Sequence, residues 1–282
     1  TAQIFHSITP NSINCKKKNP KKKINIYRRH HDFCIGREGQ YYMIGIPGFD
    51  RQPLLWVTED LLEWTVQQTI PKSVFDASDI GHNTDKLWFG APKMYYDVDS
   101  DQYIITWHAP KEGIDEHSEH DKYWRSMRTL YVLTKDFETF TEPERLFNFS
   151  GSFEEMATLD VIIRKINGKY YSFLKDERWP YENVIGAKTI RMTKSDHLTG
   201  PYENPGAPIT AAWREAQTLV HNPDSSGWYL YVEEFPIRYR MYAADTIEGP
   251  WKEIDISPPN ARHGSVIWVE GDIYRTIIAK YN

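Results

Sequence analysis

Residues Arg28 to Ile46 read RRHHDFCIGREGQYYMIGI: a short apolar strand led by the polar Asp32, a turn from Arg37 to Gln40, then an aromatic-rich strand from Tyr41 to Ile46. Two such strands around a Gly-containing turn make a β-hairpin. The pattern returns. Second strands begin YIITWHA at Tyr103, YYSFLKDE at Tyr170, YLYVEEF at Tyr229 and IYRTIIAKY at Ile273, with starts separated by 62, 67, 59 and 44 residues. Each follows its own turn signal, such as Asp99-Ser100-Asp101, Asn167-Gly168 or Ser226-Gly227.

A third strand follows each of the first four hairpins: LLWVTEDLLEWT (Leu54 to Thr65), TLYVLTKDFETFTEP (Thr129 to Pro143), TIRMTKSDHLTGPYE (Thr189 to Glu203) and RMYAADTIEGPWKE (Arg240 to Glu253). Each turns at an Asp-containing phrase and returns through an aromatic, which adds a fourth strand. Four antiparallel strands repeated radially are the blades of a propeller. The expectation is therefore an all-β chain, a five-bladed β-propeller forming one domain over residues 1–282, with 1–23 as an N-terminal extension or closing segment. Helical periodicity is scarce, and 16 Gly and 17 Pro punctuate the sequence. Two long insertions, Pro71 to Leu87 and Lys111 to Ser126, are candidate binding loops.

Composition narrows the function. A net charge of -5 argues against a nucleic-acid protein, although six lysines fall between Cys15 and Lys23; that run reads as a solvated loop. No apolar run approaches the roughly 18–20 residues of a membrane helix. Cys15 and Cys34 are either a disulfide or two independent thiols, and Asn148-Phe149-Ser150 is a formal glycosylation sequon. The expected location is secreted, periplasmic or cell-surface with any signal peptide removed. Tyr, Trp and Phe make up 14% of the chain, and exposed aromatics suit stacking on flat partners such as sugar C–H faces.

In a propeller the first strand of each blade lines the central channel. The residues leading those strands are Asp32, Ala91-Pro92-Lys93, Asp160, Glu215 and His263. Three are carboxylic acids, and an unpaired buried carboxylate is costly enough to need a reason beyond packing.

These five phrases in this order resemble the five-bladed propeller glycosidases of glycoside hydrolase family 43, and the likeness runs from about Ile24 onward, including Gly200-Pro201-Tyr202 and Gly249-Pro250-Trp251. The resemblance implies an inverting mechanism, in which Asp32 is the general base, Glu215 the general acid and Asp160 the carboxylate that orients the acid. Inverting sites hold base and acid about 6.5–9.5 Å apart to admit water. It also implies that His263 lies near an axial calcium ion, usually through water. Phe33 stands where relatives have Pro, His30 and His31 precede Asp32, and Glu215 is followed by Ala216 where Gly is common. Glu233, Glu234, Asp176 and Glu177 are less favoured acids.

Trp88, His108, Lys175, Arg178, Trp213 and Arg240 are the candidate substrate contacts. The implied activity is exo-acting hydrolysis of a terminal furanose or pentose, foremost α-L-arabinofuranose, from a poly- or oligosaccharide. Related propeller activities (β-xylosidase, galactofuranosidase, anhydrogalactosidase) and a non-catalytic carbohydrate-binding propeller are the alternatives. A WD or kelch scaffold is disfavoured, because the chain lacks their blade phrases.

Overall fold

Four of the five expected hairpins form where the turn signals place them. The computed structural model describes residues 2–6, 29–46, 52–82, 90–179, 187–222, 226–256 and 263–281. The chain opens with β1 (Ala2–His6). Blade one is β2 (Arg29–Ile35), β3 (Tyr41–Ile46), β4 (Leu54–Thr58) and β5 (Thr65–Thr69). Blade two is β6 (Gly90–Asp97), β7 (Gln102–Ala109), β8 (Arg128–Thr134) and β9 (Glu144–Arg145), with the short helix α1 (His120–Arg125) between β7 and β8. Blade three is β10 (Thr158–Ile166), β11 (Lys169–Asp176) and β12 (Ile190–Ser195); blade four is β13 (Arg214–His221), β14 (Trp228–Glu234), β15 (Arg238–Ala244) and β16 (Lys252–Ile254). The chain ends with β17 (Ser265–Val269) and α2 (Gly271–Tyr281).

All pairing is antiparallel, giving three four-stranded sheets, one three-stranded sheet and a two-stranded sheet of β1 with β17. Four sheets are thus built as blades among the described residues, where five were expected. The expected hairpin strand at Ile273 is a helix instead. IYRTIIAKY fits either period, and tertiary burial decides between them. On a helix Ile273 and Ile277 share a face with Tyr274 and pack on Tyr41, Leu61 and Leu62 of blade one. Asp272 in its first turn and Lys280 in its last complement the helix dipole, and Lys280 reaches Glu63 at 2.9 Å.

Each blade packs its apolar faces against its neighbours. Trp107, Ile105 and Tyr103 meet Ile44, Leu55 and Phe75 between blades one and two, and Phe173, Leu230 and Val232 meet between three and four. The two long insertions touch: His82 bridges to Ala77 and Lys111, and its Nδ1 lies 3.0 Å from the Pro110 carbonyl.

The four inner strands share one irregularity. In β2, β6, β10 and β13, two residues oppose one on the partner strand, between Arg29/Asp32, Gly90/Lys93, Leu159/Ile162 and Glu215/Thr218. The extra residue sits at positive φ each time: His30 (51°), Ala91 (41°), Asp160 (52°) and Ala216 (48°). His263, two residues before Ser265 on β17, has the same conformation (φ 42°). Such strained non-Gly positions persist where the surroundings over-determine them, as β-bulges that re-aim side chains do.

Side chains then stitch the inner strands into a closed circle. Met94 N–H donates to Asp32 Oδ2 (3.0 Å), Thr106 Oγ1 to the Val161 carbonyl (3.5 Å) and Ala216 N–H to Asp160 Oδ2 (3.1 Å). Val266 N–H donates to Thr218 Oγ1 (3.0 Å) and Ser265 Oγ to Asp32 Oδ1 (2.8 Å). Asp32 is the member that holds two neighbours at once. Replacing Asp32 with Ala removes two hydrogen bonds and takes from the buried Lys93 ammonium its partner 3.7 Å away. The expected loss is about 2–4 kcal/mol of unfolding free energy by urea denaturation; a loss below about 1 kcal/mol would show that the circle does not depend on this residue.

Candidate active site

The bulge sorts the strand-leading residues onto different rungs. Glu215 is the residue before the bulge, paired with Glu233; Asp160 is in the bulge, like His263 by conformation; Asp32 lies just past it, paired with Ile44. The residue of blade one that corresponds to Asp160 is His30. In the sequence Asp32, Asp160 and Glu215 all read alike as residues leading inner strands, and the extra residue leaves no mark in the hydrophobic pattern.

Around the axis these rungs bring a dense charge cluster together. Lys175 Nζ lies 2.6 Å from Glu215 Oε2 and 2.8 Å from Glu177 Oε2, and Lys188 bonds to Glu177 Oε1. His263 Nε2 is 3.5 Å from Glu215 Oε1, while its Nδ1 bonds to the fully buried Glu233. Glu233 also accepts the His263 backbone N–H (3.2 Å), so one carboxylate fixes both the ring and the strained backbone. The His30 and His263 rings meet edge to face with centroids 5.0 Å apart. His108 closes the group from β7, its ring lying against the backbone of Gly90, where a Cβ would fall 1.9 Å from Nε2. Glycine is therefore required at 90.

The fields are strong because the groups are buried. Burial would raise the Asp160 pKa, but His108, Lys93, His263 and Lys175 hold the carboxyl below the usual range, and its carboxylate persists at any working pH. Burial would deprotonate Lys175, but Glu177, Glu215 and Asp160 keep it charged. Desolvation pushes His108 down to about 4 and His30 down to about 3, so both are neutral rings at neutral pH. His263 goes the other way: Glu233, Glu215 and Asp160 outweigh its burial and raise its pKa.

The candidate substrate contacts divide. His108 and Lys175 belong to the axial cluster. Trp213, just before Arg214 and Glu215, is 48% exposed and packs edge to face on Trp179, and the Lys188 ammonium lies 4.0 Å from the Trp179 ring centre. Trp179, Lys188 and Glu177 thus join the site; only Glu177 carried a sequence signal, as an acid ending a second strand. Arg178 is clamped by Asp176 (2.8 and 2.7 Å) and by the Ser152 carbonyl, and Arg240 faces outward to Glu234 (2.7 Å) and Glu253 on the outermost strand. Trp88 and Cys15 lie outside the described residues. Cys34 is buried on β2, where desolvation pushes its thiol up to about 12 and leaves it a packing residue.

Glu215, Glu233 and His263 place ligand atoms within 4.8 Å of one another. Calcium takes six to eight oxygens. This set offers two carboxylates and an imidazole, and Lys175 already holds Glu215 while His263 holds Glu233. The described residues do not fit calcium as a resident ion.

Inner strands that gather carboxylates, imidazoles and ammonium groups around one axis define a propeller with a buried, charge-lined centre. Residues 31–274 match the family described as a probable glycosyl hydrolase domain, related to glycoside hydrolase family 43, and the chain belongs to that family. An α-L-arabinofuranosidase of Bifidobacterium longum subsp. longum is 28% identical over 141 residues, 47% of this chain and 13% of the relative, so the chain spans a small part of that protein. An exo-β-1,3-galactanase from Clostridium thermocellum superimposes with a TM-score of 0.62 at 14% identity, over 84% of this chain and 50% of the other. The catalytic domain of a GH62 α-L-arabinofuranosidase from Coprinopsis cinerea gives a TM-score of 0.56 at 10% identity, over 84% of this chain and 70% of that one. At these identities the structural likenesses show the fold alone.

The buried rings make the protein acid-sensitive. His108 has a folded pKa (about 4) below its unfolded value of 6.5, so its contribution to stability is complete above pH 6.5, declines on acidification and is gone below about 4. His30 acts in the same sense, and His263, with its raised pKa, in the opposite one. In His108→Gln, about 2–3 kcal/mol of the stability difference between pH 7 and pH 4.5 should disappear in paired urea titrations; an unchanged difference would mean that His108 is not held neutral.

Proposed function

We propose that this protein is an inverting, exo-acting glycoside hydrolase that releases a terminal furanose or pentose, foremost α-L-arabinofuranose, from a poly- or oligosaccharide. The single observation that carries the reading is Glu215, held by Lys175 and flanked by His263 at the inner end of blade four, with a partly exposed tryptophan, Trp213, two residues before it. Lys175 and His263 hold that carboxyl in place, from where its protonated form can serve a leaving oxygen, and the indole suits stacking on a sugar ring. The arabinofuranosidase relative favours the sugar.

In this mechanism Glu215 is the general acid. Asp160 stays ionised and, through its electrostatic interaction with Lys175 and His263, keeps the two groups that hold Glu215 oriented. Asp32 and His30 are the two groups on blade one suited to take the proton of the attacking water. We further infer that the β1–β17 pair is a reduced fifth blade, because β17 occupies the gap between β13 and β2 in the circle of inner strands and carries the same positive-φ residue ahead of it. A polysaccharide substrate accords with a secreted or cell-surface location.

Glu215→Gln should fold normally and lose about 10³-fold in kcat on natural oligosaccharides, with a smaller loss on dinitrophenyl glycosides, whose leaving groups need little protonation. Equal losses on both would remove the acid assignment. The first-formed sugar anomer, followed by NMR, should be inverted; retention would require a covalent nucleophile in place of water.

A further inference from the structure

The register of the inner strands bears on which blade-one group faces the reacting water. The bulge equates His30 with Asp160, and the shared positive φ extends the match to His263. These three polar residues turn toward one another: His30 and His263 are in ring contact, and Asp160 acts electrostatically on both. Asp32 lies two residues further along. It is 6% exposed, one oxygen takes the Ser265 hydroxyl and the other the Met94 N–H, and the Lys93 ammonium stands 3.7 Å away. Its carboxylate is oriented by the three elements it joins, not by the channel.

His30 is differently placed. Part of its surface is open, and it approaches His263 from the blade-one side while Glu215 approaches from blade four, its Oε1 3.5 Å from His263 Nε2. An acid and a base that act on opposite faces of one sugar carbon must come from separate walls of the cavity. Burial keeps the imidazole neutral at neutral pH, the form in which one ring nitrogen is an acceptor, and works against the imidazolium that follows.

We propose that His30, not Asp32, is the group that takes the proton from the attacking water in this chain. The proposal rests on the inverting hydrolase reading above. The water oxygen forms the new bond to the anomeric carbon as the bond to the leaving oxygen breaks. The water proton passes to a ring nitrogen of His30 and the Glu215 proton to the leaving oxygen. The products are an imidazolium and a carboxylate, and proton exchange with solvent restores both.

The test compares His30→Ala and His30→Gln with Asp32→Asn on 4-nitrophenyl α-L-arabinofuranoside and 4-nitrophenyl β-D-galactopyranoside, with and without sodium azide. Asn at 32 keeps an acceptor for Met94 N–H and lets the Ser265 hydroxyl reverse its bond, so it tests chemistry more than folding. Both His30 variants should lose about 10³-fold in kcat. Azide should restore at least tenfold of the His30→Ala rate, giving a glycosyl azide of inverted configuration, and should restore none of any loss in Asp32→Asn. Wild-type kcat in both His30 variants, or azide rescue of Asp32→Asn and not of His30→Ala, would overturn the proposal. NMR of the His30 ring during titration with L-arabinose and D-galactose reports its placement independently of turnover. A wild-type protein that hydrolyses neither glycoside but shifts the His30 ring would end the reading of these activities while supporting the position of His30. A ring unmoved at saturating sugar would overturn it.

Discussion

A closed circle of inter-strand hydrogen bonds around the channel is the constraint on which the rest of the structure depends. Each inner strand belongs to its own sheet, and within-sheet bonds say nothing about how sheets are set against one another. Apolar packing between blades is strong but non-directional. The bonds from Asp32, Thr106, Asp160, Thr218 and Ser265 supply direction, each placing one strand at a fixed height against the next. Because Ser265 returns to Asp32, a residue 233 positions away joins the end of the chain to blade one.

The bulge is what makes that circle compatible with a reactive centre. An unbroken strand would present only alternate residues to the channel. One extra residue at positive φ changes the facing pattern, so that an acid before the bulge (Glu215), a polar residue in it (His30, Asp160, His263) and a residue past it (Asp32) reach different levels of one axis. The same distortion recurs in all four blades with unrelated side chains, Ala91 and Ala216 included. Architecture therefore imposes the distortion, and chemistry exploits it at selected positions.

Charge balance is the second requirement. Asp32, Asp160, Glu177, Glu215 and Glu233 are faced by Lys93, Lys175, Lys188 and His263, and each of these cations lies beside at least one of the acids. Buried ions are tolerated when every member is paired and bonded. The lysines supply much of the counter-charge that these acids need. The neutral His30 and His108 are the cluster's exceptions: burial is cheaper for an uncharged ring than for another cation.

The repeated turn-plus-aromatic phrase was enough to locate β3, β7, β11 and β14, because a hairpin is a local event decided by turn chemistry and period-two burial. The residue types of the site were legible as well: Asp32, Asp160, Glu215 and His263 lead inner strands as their context implied. The last element was not, since Gly271–Tyr281 fits both periods and becomes a helix only because blade one offers Tyr41, Leu61 and Leu62 to cover. Nor was the division of labour among the leading residues. Whether a carboxylate faces the channel or clasps neighbouring strands depends on one extra residue in the strand register and on donors 62 and 233 positions away. The sequence by itself determined which side chains are present and which strands carry them; the tertiary structure alone decided what each one touches, because those contacts form between blades and not within them.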